Sequence, residues 1–174
     1  MLRQFLFAAL GFFVFISCND LSSGNNGNAE SKYAKIDRQR CSFVLPEKLY
    51  LGKIDSSFNE EGYFRIISRE SENRMQLFVY DSQTDMDERV NAQMNALNSP
   101  DVFSAKKIER INRFGNYQGK GVIMKGTYTG GVIQGKIKIF CYGTSAKGFL
   151  VIQQTIKVAD TANFAMVEKS FLLK

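Results

Sequence analysis

Apolar residues recur along the chain at two different periods, and each period predicts its own elements. Cys41-Ser-Phe-Val-Leu45 is a short apolar run stopped by Pro46, which reads as a first strand. Tyr63-Phe-Arg-Ile-Ile-Ser68 and Met75-Gln-Leu-Phe-Val-Tyr80 predict a hairpin around the polar segment 69–74. Asp85 with Glu88 three residues later forms a capping box. Met86, Val90, Met94 and Leu97 then recur at helical spacing, until Asn98-Ser-Pro100 ends the helix. Between Lys106 and Lys157 the period becomes two and predicts four strands, near 106–114, 119–128, 132–142 and 149–157. In the third, Ile133, Gly135, Ile137, Ile139 and Cys141 share one face, with Gln134, Lys136 and Lys138 on the other. Short connections permit only an antiparallel meander. Asp160 is placed to cap a last helix, lined on one side by Phe164, Val167 and Phe171, with Leu172 and Leu173 behind. Helices with one apolar stripe must cover the sheet, so the class is α+β, in one domain without repeats.

The first 39 residues do not belong to that pattern. One positive charge, Arg3, precedes twelve uncharged, mostly apolar residues, Phe5 to Ile16. Twelve helical residues span about 18 Å, well short of a ~30 Å hydrocarbon core, so the run is a signal region and not a membrane span. Phe15-Ile16-Ser17-Cys18 resembles the lipobox of bacterial lipoproteins, with Phe15 where Leu is usual. The resemblance implies removal of residues 1–17 and acylation of Cys18, whose two or three chains anchor the protein to a membrane at about 0.8 kcal/mol per buried methylene. Asn19 follows where an Asp would resemble an inner-membrane retention signal, which points to the outer membrane of the cell envelope. Residues 18–39, including Ser22-Ser-Gly-Asn-Asn-Gly-Asn28, offer almost nothing to bury and read as a flexible tether to the domain at 40–174.

Composition narrows the chemistry. The 174 residues contain no histidine, which excludes the Ser-His-Asp triad, the Cys-His pair and HExxH zinc sites. Losing Arg3 with the signal leaves 22 basic against 17 acidic residues, a net of +5. Once Cys18 is acylated, Cys41 and Cys141 are the remaining thiols. Both fall on apolar faces of their strands; a disulfide and two buried thiols are both open.

From 41 onward the chain resembles the PsbP/DcrB-like α/β/α sandwich. The resemblance rests on a strand ending Phe43-Val-Leu45-Pro46, a helix after the hairpin, a Gly-rich meander and a final helix closing on Ser170-Phe171. It implies an accessory or binding role without a shared catalytic centre, and carries no set of functional residues.

Other motifs read blandly. Gly130 to Lys136 matches GxxxxGK, but Ile137 stands where Ser or Thr should hold magnesium, and the segment belongs to a hairpin. Ser104-Ala-Lys-Lys107 fits SxxK without its partner motifs. Asp81, Asp85, Asp87 and Glu88 cluster at a strand end and a helix N-terminus, where the helix dipole favours negative charge. Asp55, Glu60 and Glu61 lack the EF-hand spacing, and no metal or cofactor is expected. Nine of the fourteen glycines lie between 115 and 148; Gly119, Gly121 and Gly126 either let the sheet curl or bare a strip for a partner.

The expected binding face is Lys125, Lys136, Lys138 and Lys157 with Tyr128 and Tyr142, suited to anionic headgroups or an acidic envelope partner and not to nucleic acid. The expected function is a non-catalytic, lipid-anchored binding or accessory protein of the envelope. The alternatives are a carboxylate-dependent hydrolase with two acids about 5–9.5 Å apart, and an apolar-ligand carrier with a pocket of roughly 300–1,000 Å³ between sheet and helix.

Overall fold

A computed structural model describes residues 33–53, 62–83, 85–128, 131, 133–156 and 161–174, which belong to one unit. Its strands are β1 (Tyr33–Asp37), β2 (Cys41–Pro46), β3 (Leu49–Leu51), β4 (Tyr63–Ser68) and β5 (Arg74–Tyr80), then β6 (Phe103–Phe114), β7 (Tyr117–Tyr128), β8 (Gln134–Gly143), β9 (Gly148–Thr155) and β10 (Leu172–Leu173). Helix α1 (Met86–Leu97) follows β5, and α2 (Thr161–Ser170) follows β9.

The α+β expectation holds, and the predicted meander is β6–β7–β8–β9. It is one part of a seven-stranded antiparallel sheet in the order β3-β4-β5-β9-β8-β7-β6, while β1, β2 and β10 form a second, three-stranded sheet. After β5 the chain crosses one face as α1, enters at the far edge as β6, and returns until β9 lies against β5. Arg74 pairs there with Gln154, and Tyr80 with Gly148.

Each face of the large sheet carries its own core. On one face Val90 of α1 packs with Phe103, Val122, Met124, Ile137, Ile139, Cys141, Leu150 and Ile152. As its capping box requires, α1 begins with the Asp85 carboxylate accepting a hydrogen bond from the Glu88 amide at 3.0 Å. The opposite core is built from Phe64, Ile66, Met75, Leu77, Phe140, Phe149 and Val151 of the sheet, against Cys41, Phe43 and Leu45 of β2 and Phe164 and Val167 of α2. The second covering layer is therefore a helix together with a small sheet.

At one end of that core Phe149 touches five rings: Phe171 at 4.7 Å between centroids, Tyr117 at 5.0 Å, Tyr142 at 5.6 Å, Phe114 at 5.7 Å and Phe140 at 6.0 Å. The β6–β7 turn docks beside them. Gly115 has φ +53, its amide donates to Glu168 Oε1 at 3.1 Å, and a Cβ there would collide with the Glu168 carbonyl.

Two local expectations are corrected, and the cysteines take the second of their two open readings. Tyr33–Asp37, assigned by composition to the tether, pairs as β1 with β2, from Tyr33 opposite Pro46 to Asp37 opposite Ser42. Ile36 packs against the core and the Lys174 ammonium binds Asp37. The last helix ends at Ser170, whose hydroxyl donates to Met166 O and accepts from the Val44 amide, so Phe171 leaves the helix and Leu172–Leu173 become β10. Cys41 and Cys141 are both buried and no disulfide joins them, because they sit in the two separate cores on opposite faces of the sheet. The signal segment, Cys18, Asp160 and the stretch of tether before Tyr33 lie outside the described residues.

Candidate functional site

Strand register decides which of the predicted binding residues share a surface. Lys125 stands opposite Lys136, and Lys138 opposite Ile123 on one side and Gln153 on the other, so these lysines share the α2 face of the sheet. Tyr142 is on that face too, but its ring is in the aromatic cluster between Tyr117 and Phe149. Tyr128 is on the opposite face, opposite Phe103 and in edge contact with its ring at 4.9 Å. Lys157 lies outside the described residues.

The lysines are largely answered within the fold. Glu109 lies between Lys107 at 2.8 Å and Lys125 at 2.9 Å. This pair of ammonium donors holds its carboxyl down at about 2. Lys138 meets Glu168 at 2.5 Å, in a pair with side chains only 17% and 21% exposed, and its ammonium lies 5.0 Å from the Phe114 ring centre. The glycines serve approach between strands. A Cβ on Gly126 would strike the Ser104 carbonyl beside the β6 bulge at Ala105/Lys107, and one on Gly121 would lie 2.5 Å from Ile139 O.

The motifs set aside in the sequence fall into strands. Gly135 and Lys136 are inside β8, and Ser104 and Lys107 inside β6. The acids are spread over the surface: Asp81 pairs with Arg40 at 2.8 Å, Asp87 with Lys120 at 3.5 Å, Glu70 with Lys48 at 3.0 Å, and Asp85 caps α1. Asp55, Glu60 and Glu61 lie outside the described residues. Among the described residues no group of three or more His, Cys, Asp or Glu is placed to hold a metal, and no helix is long and apolar enough to cross a membrane. Beneath α1, Phe103, Met124, Ile137 and Ile139 are fully buried. A depression of about 360 Å³ lies instead along α2, lined by Ala162, Ala165, Met166, Lys169 and Ser170.

A second surface went unrecognised in the sequence. Helix α1 packs on β7 and β8. Beyond it, on the same face, register aligns Tyr50 with Ile67, Ile67 with Arg74, and Arg74 with Gln154. The next rungs are Arg65 with Gln76 and Tyr63 with Phe78. Arg69 lies over the Tyr50 ring at 5.3 Å, and Arg89 of α1 over the Tyr80 ring at 4.5 Å. Arg74 donates from Nε to Gln154 Oε1. Burial, then the neighbouring Arg65 charge, pulls the Arg74 guanidinium below its ordinary value. The signal was the alternation Tyr63-x-Arg65-x-Ile67 and Arg74-x-Gln76-x-Phe78, which reads equally well as the solvated side of a hairpin.

Tyr128 borders this surface, and its phenol donates to Lys136 O at 3.3 Å. Burial pushes that phenol up to about 12 from an ordinary 10. Because the folded value is the higher one, the associated stability is complete below pH 10 and disappears as pH climbs through about 12. Burial also raises the Tyr63 phenol; titration of phenolate absorbance should show a step at about 12 that Tyr128→Phe removes.

No protein-family model matches the chain, and no curated protein matches it. Solved structures do. A Bacteroides thetaiotaomicron protein superposes with a TM-score of 0.52 at 9% identity, covering 84% of this chain and 49% of the other, so the chain spans about half its length. Cyanobacterial PsbP (CyanoP) from Synechocystis gives 0.53 at 9% identity, over 87% of this chain and 98% of that one. LpqN, involved in cell envelope biogenesis of Mycobacterium tuberculosis, gives 0.51 at 10% identity, over 82% and 90%. At these identities the likeness is one of architecture: the chain has an α+β fold similar to that of PsbP.

Proposed function

We propose that the protein is a lipid-anchored component of the cell envelope, held in the outer membrane through acyl chains on Cys18, whose domain binds a partner and catalyses nothing itself. The observation that carries the binding reading is the placement of the acids among the described residues. Asp81, Asp87, Glu70, Glu109 and Glu168 each end on a lysine or arginine, and Asp85 on a helix cap. A carboxylate-only hydrolase instead needs two acids turned toward one another across a cleft. The same architecture in an envelope-biogenesis protein supports the location. β1 begins at Tyr33, fifteen residues after Cys18, and a chain of that length spans at most about 50 Å however it is arranged. The domain then works close to the membrane.

Intact-mass measurement of the native product tests the anchor. The expected species begins at Cys18 and carries two or three acyl chains, and Cys18→Ser moves the protein out of the membrane fraction. A product still beginning at Met1, or a mature form without acyl mass, would overturn the anchor and the location with it.

A further inference from the structure

We propose that the Arg–Tyr half of the sheet face beyond α1 docks an acidic patch of another envelope protein, an inference that rests on the binding role above and names its surface and the chemistry of its partner. Among the described residues, the positions of β3, β4, β5 and β9 on this face include no Lys, Asp or Glu. The cations are arginines and the apolar groups mainly aromatic. Protein interfaces favour that composition: Tyr and Arg are enriched at their centres and Lys and Glu depleted. A guanidinium is weakly hydrated and offers a planar fork that takes a carboxylate through two hydrogen bonds.

Two arginines on neighbouring strands, Arg65 and Arg74, repel one another and are both half-buried. A partner carboxylate set between them would relieve that repulsion in a site already partly dry. Tyr50 is 37% exposed, and Arg69 stacks on it at the rim. Both are held before any partner arrives, which lowers the ordering cost of docking.

Charge selects among occupants. A second copy of this chain would bring a like-signed body of net +6, or +5 once processed. A membrane surface draws Lys and Arg alike by long-range charge and rewards a large basic cluster on one face. Here Lys107, Lys125 and Lys138 lie on the opposite face of the sheet, bound to Glu109 and Glu168. An acidic protein matches both the sign and the rigidity of the arginine surface.

Site-specific photo-crosslinking of the full, acylated chain in its native cells tests this, with p-benzoylphenylalanine at Tyr50 and, as the control, at Ala162 on α2. The expected result is a protein adduct from Tyr50 whose cross-linked peptide is rich in Asp and Glu. Arg69→Glu and Arg65→Glu, made separately and with unchanged circular dichroism, should each cut its yield at least tenfold. Adducts from Tyr50 to lipid alone, or protein adducts that both reversals leave intact, overturn the proposal. Protein adducts from Ala162 alone overturn this surface and leave the binding role standing. No protein adduct from either position overturns both.

Discussion

Replacing Phe149 with alanine should cost about 3–5 kcal/mol of folding stability, the largest loss expected from one substitution in this fold. The side chain is fully buried on β9, a strand between two others, with five rings in contact from β6, β7, β8 and the segment after α2. Its removal leaves a cavity that those rings cannot all close on, because Phe114, Tyr117 and Phe140 are fixed by their own strands. Urea unfolding followed by circular dichroism reads the change. Phe149→Leu, which keeps much of the volume, should lose well under half as much. Similar losses from both variants would show that the ring cluster is not what holds this end of the core.

The Lys138–Glu168 pair should give the second large effect. One Glu168 oxygen accepts from Lys138 Nζ and the other from the Gly115 amide, so the side chain ties α2 to β8 and to the β6–β7 turn at once. Glu168 also sits in the last turn of α2, where a negative charge is disfavoured by the helix dipole. Its pairing with Lys138 must therefore outweigh that cost. Glu168→Ala leaves a mostly buried ammonium and a backbone amide without their acceptor, and should cost about 2–3 kcal/mol, somewhat below fully buried pairs because some exposure remains. Glu168→Gln keeps an acceptor for Gly115 and should lose less. In Lys138→Met the apolar stem still covers Phe114, but the Glu168 carboxylate is left without its cation at a helix C-terminus, and the loss should approach that of Glu168→Ala. The measurement is the same denaturant titration. If neither Glu168→Ala nor Lys138→Met costs more than about 0.5 kcal/mol, the pair is not what ties α2 to β8.

Much of the architecture was legible because its physics is local. The alternation through Ile137, Ile139 and Cys141 placed β8 with the right face inward, and Asp85 with Glu88 marked the start of α1 to the residue. What could not be read was non-local or unpatterned. β1 is exposed at every position but Ile36, so nothing in its sequence separates it from a tether. Strand β10 has two residues and β3 three, too few for any period. The binding face was mixed for a related reason. Alternation correctly united Lys136 and Lys138, but Tyr128 follows Met124 and Val122 onto the α1 side, and Tyr142 is captured by rings from two other strands. The Arg–Tyr surface was invisible because its members come from β3, β4, β5 and β9, and become neighbours only through register.

The seam between β5 and β9 also bears on when this chain can fold. Arg74 and Gln154 are 80 residues apart in sequence, and the strands they join lie inside the large sheet. Neither half closes its edge until the other has been made, and a pairing this distant costs more loop-closure entropy than the hairpins on either side of it. On a nascent chain the large sheet therefore stays open at β5 until β9 has emerged from the ribosome.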